Sequence, residues 1–152
     1  MPDQRPPRLT ADERSTLLAL LDYQRQSFVR KVSGVDDAAA ARVLVPSGTS
    51  LVWLTWHLAH AEALWVLHRF AGQDLDPPGD GPIAAAIAAY QAGWARVDEI
   101  LRTADLSAER PATARDQPVN LRWILAHLLE ETARHAGHAD IIRELLDGST
   151  GR

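Results

Sequence analysis

The chain holds six histidines and no cysteine, and all six histidines fall in two segments, one from His57 to His68 and one from His127 to His138. Cysteine nucleophiles, iron–sulfur sites, zinc ribbons and disulfide frameworks are thereby excluded. In the second segment an apolar series steps by three and four through Leu121, Ile124, Leu128, Glu131, His135, His138, Ile142 and Leu145. Its ends are aliphatic and its three central positions are ionisable, an interruption that a core-facing stripe carries only for a use. Glu131 and His135 stand four residues apart, so on a helix both side chains leave the same face. A carboxylate and an imidazole at that spacing are suited to hold a divalent cation. The first segment supplies a further ligand if its seam is Leu54, His57, Ala61, Leu64 and His68, which turns His57 inward. His57, Glu131 and His135 then form a three-ligand set with a position left for water or substrate, the catalytic arrangement. The same three residues also describe an ordinary hydrogen-bonded His–Glu network with no metal. His138, one step beyond His135, is placed to support a ligand, relay a proton or act as a fourth ligand. His60 suits a supporting, proton-relay or interfacial role, and His68 and His127 read as helix-surface residues.

Such a site needs helices to position it, and the prolines mark where they lie. The nine prolines occupy positions 2, 6, 7, 46, 77, 78, 82, 111 and 118. Proline breaks helix interiors, so the proline-free intervals predict four helices. The first runs from about Thr10 to Ser33, opened by a Thr10/Glu13 capping box, with Leu17, Leu21, Gln24, Phe28 and Val32 as its stripe. The second runs from about Ser50 to Ala71 and stops at Gly72. The third starts with Pro82 at its first position and carries Ile83, Ile87, Tyr90, Trp94, Val97 and Leu101 to Thr103. The fourth is capped by Asn120, flanked by a Val119/Ile124 staple and closed by Gly148. Four long helices with apolar seams predict an all-α, four-helix bundle. Connections of about ten to sixteen residues leave room for a crossover.

The chain is 152 residues long, which predicts one domain over residues 1–152, with 1–9 as a flexible N-terminus. A net charge of −4 argues against a nucleic-acid partner. The most apolar stretch, Leu51 to Phe70, is interrupted by three histidines, Glu62 and Arg69, so no membrane span is expected, and no signal peptide is visible. A cytoplasmic location follows as the expectation. Ferritin-like di-metal chemistry requires Glu-x-x-His elements, and the chain has none. Trp53, Trp56 and Trp65 make the second helix apolar around much of its circumference, which fits either a central position or a homodimer interface.

Two stretches together resemble a known family. Pro46-Ser47-Gly48-Thr49-Ser50-Leu51 leads into Trp56-His57-Leu58-Ala59-His60, and the run from His127 to Ile141 contains Glu131-Thr132-Ala133-Arg134-His135-Ala136-Gly137-His138. They are similar to the DinB/YfiT-like superfamily, in particular its mini-circle-protein subgroup, and related to the N-terminal domain of the mycothiol-dependent maleylpyruvate isomerases. The resemblance implies an up-down-down-up bundle, commonly dimeric, with a divalent metal, zinc or nickel, on His57, Glu131 and His135. Many members carry histidine where Glu131 stands; the isomerase branch shares the glutamate. His138 replaces a common glutamine. The activity implied is a metal-dependent S-transferase in which mycothiol or another low-molecular-weight thiol is the cosubstrate and a small molecule the acceptor. Two alternatives stand beside it, a hydrolase using metal-bound water and a non-catalytic dimeric protein that binds metal or ligand.

Overall fold

The structure is a computed structural model that describes residues 4–110 and 117–151. Residues 1–3 of the expected flexible N-terminus and part of the Ala104–Val119 connection therefore lie outside the described residues. It is all-helical. Helix α1 spans Glu13–Val32, a one-turn α2 spans Asp37–Ala40, and α3 spans Leu51–Glu62. Beyond Glu62 the chain continues helically through Ala63–Phe70, but with the wider π pattern. Helix α4 spans Ile83–Thr103 and α5 spans Leu121–Asp147.

The helix ends follow from local chemistry, with two departures from the sequence expectation. Asp12, not Thr10, caps α1: its carboxylate accepts from the Ser15 N–H at 3.0 Å and from the Ser15 hydroxyl at 2.7 Å. An ionised carboxylate beside the positive end of a helix is a better cap than a hydroxyl two residues earlier. Pro82 sits at the cap position of α4 rather than inside it. Having no side-chain oxygen to offer, it leaves the Ile83 N–H to Asp37 on α2, which accepts it at 3.0 Å. Asn120 caps α5 as expected, accepting from the Trp123 N–H at 2.9 Å. Gly148 ends that helix in the left-handed region at φ 76°, where a Cβ would be strained.

Packing divides the interior into two apolar clusters. One gathers Phe28, Val32, Leu51, Leu54, Leu58 and Ile142; the other gathers Leu21, Val66, Leu101, Leu121, Ile124 and Leu128. Along each of three helices the change from one cluster to the other falls on a buried polar residue: Arg25, Glu62 and Thr132. Helix α1 packs chiefly on α5, and α3 chiefly on α4. Glu13 meets Arg122 at 2.8 Å and Lys31 meets Asp140 at 2.9 Å, so the starts of α1 and α5 lie together, as do their later turns. Among the described residues no helix is long and apolar enough to cross a membrane.

Candidate metal centre

Helices α3 and α5 run side by side with one polar interruption between their apolar faces. His57 projects from the second turn of α3, and Glu131 and His135 from successive turns of α5. The Nε2 atom of His57 lies 2.8 Å from Glu131 Oε1, and the Nε2 atom of His135 lies 3.1 Å from the same oxygen. One nitrogen from each imidazole and one carboxylate oxygen all fall within 4.8 Å of one another. Two nitrogens and an oxygen so gathered are the donor set that borderline divalent cations take.

The position of the triad differs from the sequence expectation in one respect. The buried stripe of α5 is Leu121, Ile124, Leu125, Leu128, Thr132, Ala136, Ala139 and Ile142, one position round from the series that contains the triad. Glu131 and His135 are half-buried on its flank, and Leu145 is 57% exposed. On α3 the buried positions are Leu51, Leu54, Thr55, Leu58, Ala61 and Glu62, while His57 is half-buried; His68, in the π run that follows, is exposed. The triad therefore lies at the rim of the α3–α5 interface, partly open to solvent.

Packing orients both imidazoles. The Trp53 indole stacks on His57, with ring centroids 4.9 Å apart and planes 8° from parallel. His138 lies beyond His135, the two Nδ1 atoms 3.3 Å apart, and is exposed. Burial tends to raise the Glu131 pKa, but the hydrogen bond from His57 and the His135 charge outweigh it and hold the carboxyl below its ordinary value. Burial lowers the His135 pKa, favouring the neutral imidazole, which is the form that binds metal. His60 shares this bias, lowered by burial and by neighbouring His57, but it faces a cleft toward α4.

Two groupings go beyond the sequence expectation. A buried ionic cluster joins α1, α3 and α4: Arg25 donates to both oxygens of Glu62 at 2.9 and 2.6 Å and to Asp98 at 2.8 Å, and the Tyr90 hydroxyl donates to Glu62 at 3.1 Å. Its signal was present, since Leu21, Arg25, Phe28 and Val32 keep helical spacing with arginine inside the stripe. The other is an aromatic group along the α3–α5 groove. His127 stacks on Trp123 at 4.9 Å and meets Trp65 edge-on at 5.0 Å, and the Arg69 guanidinium lies over Trp65 at 4.5 Å. His127 is thus a half-buried member of an aromatic group and not a plain surface residue, whereas His68 bonds the Gln73 carbonyl at 2.8 Å on the exposed side.

A sequence model of the mycothiol-S-transferase family matches residues 16–148, a span that includes every residue of the triad. The chain belongs to the mycothiol-S-transferase family. This DinB-like family agrees with the resemblance carried by the two histidine stretches. Among solved structures, a conserved protein from Enterococcus faecalis superposes with a TM-score of 0.67 at 18% identity, covering 92% of this chain and 100% of that one. At that identity the likeness speaks for the fold alone. No curated protein matches the chain.

Proposed function

We propose that this member of the mycothiol-S-transferase family is a divalent-metal-dependent enzyme that joins mycothiol, or a similar low-molecular-weight thiol, to an electrophilic small molecule. The observation that carries the reading is the convergence of His57, Glu131 and His135 on one point at the rim of the α3–α5 interface. His57 and His135 would hold zinc or nickel through Nε2 and Glu131 through Oε1. A cation bound there supplies positive charge that lowers the pKa of a thiol brought beside it. The chain has no cysteine, so the thiol must come from a cosubstrate. Glu131 keeps both imidazoles turned toward the common point, and the Trp53 stack stops His57 from rotating away. The thiol proton leaves as the thiolate forms, and the candidates to accept it are His138, beside His135, and His60, one turn along from His57. The sulfur then bonds the electrophilic carbon as that carbon's bond to its leaving group breaks, the leaving group keeping the electron pair.

We further propose one domain with helices in up-down-down-up order, acting as a homodimer in the cytoplasm. The helix order draws support from the parallel pairing of α1 with α5 and from His57 and Trp65 meeting residues in reverse order along α5.

Metal analysis of the purified protein tests the centre. Wild type is expected to take up stoichiometric zinc or nickel, and His57→Ala and His135→Ala to lose it. Full occupancy in both variants would overturn the ligand assignment, and no uptake by wild type would overturn the metal. Electrophile turnover that proceeds equally without thiol would overturn S-transfer.

A further inference from the structure

A second concave feature lies on the other side of α3 from α5. Its walls are α3, α4 and the segment over residues 74–79, and it encloses about 480 Å³, within the size range of small-ligand sites. The side chains that give it character are Trp56, His60, Asp74, Asp76 and Arg96. Small residues on α4, among them Ala92 and Gly93, leave it open.

The indole is held in place. Trp56 Nε1 donates to the Gly81 carbonyl at 2.9 Å, and the ring lies so close over Gly79 that a Cβ there would run into it. Arg96 is tethered too, donating to the Gln73 side chain at 2.8 Å. The cleft thus offers a fixed aromatic ring, two carboxylates as acceptors and a guanidinium as donor. That combination suits a neutral, polyhydroxylated ring: hydroxyls give and take hydrogen bonds with the charged groups, and the C–H face packs on the indole. The two carboxylates disfavour an anionic ligand.

The cleft and the triad share helix α3. His60 stands on its wall three residues after His57, which on a helix puts their Cβ atoms about 5–6 Å apart. A cysteinyl residue adds about 3.5 Å of backbone, and its side chain beyond that, to a ligand seated in the cleft. Resting on the S-transferase reading, we infer that this cleft holds the sugar–cyclitol part of the thiol cosubstrate while its cysteinyl arm extends past His60 to the triad. Mycothiol has this composition, a cysteine amide-linked to a glucosamine–inositol pair.

The test uses the thiol-free glucosamine–inositol fragment as a calorimetric probe, with mycothiol and N-acetylcysteine compared as cosubstrates. Ala92 is exposed on α4, so Ala92→Trp fills the cleft without touching the core; Asp74→Asn/Asp76→Asn removes the carboxylates while leaving the shape. The fragment is expected to bind wild type and to lose binding in both variants. The mycothiol KM should rise by about tenfold or more, the loss of one or two hydrogen bonds, with kcat and N-acetylcysteine kinetics unchanged. No fragment binding by wild type, or undiminished binding by Ala92→Trp, overturns the proposal. So does loss of binding only in Trp123→Ala, which would put the sugar on the aromatic group of the α3–α5 groove. If the fragment binds the cleft and no thiol supports turnover, the cleft assignment stands and the transferase reading falls.

Discussion

Arg25 and Glu62 form the most deeply enclosed charge pair among the described residues, and removing one partner has a large, calculable effect. They are 1% and 2% exposed, and Arg25 spans both oxygens of Glu62. Burial works against the Arg25 charge, but Glu62 and Asp98 outweigh it and raise the guanidinium's pKa, so the group stays ionised. Glu62→Met leaves that cation with Asp98 alone, and the Asp98 side chain is 23% exposed and already shared with Arg102. Breaking a buried pair from one side costs about 3–5 kcal/mol. At about 2–4 °C per kcal/mol for a chain of this length, Tm falls by about 6–20 °C. Arg25→Met should cost a similar amount, because it strands the carboxylate. The double variant should melt far above either single one, since two methionines need no partner and bury apolar surface. Thermal melts by circular dichroism decide it. Single variants melting within about 2 °C of wild type, or a double variant that loses the sum of the two, would refute the stranded-charge argument.

Gly79→Ala should either displace the Trp56 ring or lift the segment off it, at a cost of about 1–3 kcal/mol and with a changed tryptophan fluorescence spectrum; an unchanged spectrum and melt would contradict the close approach. The Asp12 carboxyl is held below its ordinary 3.8 by its bonds from Ser15. A depressed carboxyl contributes stability that is present above pH 3.8 and lost as pH falls through the lower folded value. Asp12→Asn should therefore flatten the acid side of a Tm–pH profile between about pH 2 and 5, while an unaltered slope would remove Asp12 from that limb. His138→Ala should weaken zinc binding by about tenfold or more, as loss of a group supporting a ligand does; competition with a chromogenic chelator would measure it, and an unchanged affinity would make His138 a bystander.

Much of the fold could be read from the chain because its breakers are few and well placed. Pro46, Pro77, Pro82 and Pro118 fall between the long helices, and Asn120 and Gly148 bound α5 where expected. What could not be read depends on contacts between distant residues. The Ile83 N–H finds its acceptor on Asp37, forty-six positions earlier, and Trp56 donates to the Gly81 carbonyl across the loop between α3 and α4. In α1 the spacing places Leu21, Phe28 and Val32 inward, as the structure does, but Leu18 and Arg25 are buried where it predicts Leu17 and Gln24. Gln24 and Arg25 are adjacent long polar residues, and Glu62 on α3 is what holds the arginine inside. The spacing of Glu131 and His135 led to the triad and His57 completed it, but spacing says nothing of depth. Thr132 and Ala136, one residue along from each, occupy the buried line, which leaves the triad at the rim.

The π-helical run after Glu62 changes what can pass along that helix. The Ala71 N–H bonds back to Val66, so the backbone there is wound more loosely than in α3, until Gly72 closes the run at φ 70° with the Gln73 N–H on the Leu67 carbonyl. A looser winding takes up an extra residue without unravelling, and it gives that residue back as readily. The run works as a slip joint between the half that aims His57 at Glu131 and the half that carries Trp65 and Arg69. An insertion or deletion below the joint can be absorbed as a change of winding, leaving the azimuth of His57 where it was. A change of length in the lower half of this helix would then leave the aim of the triad unaltered.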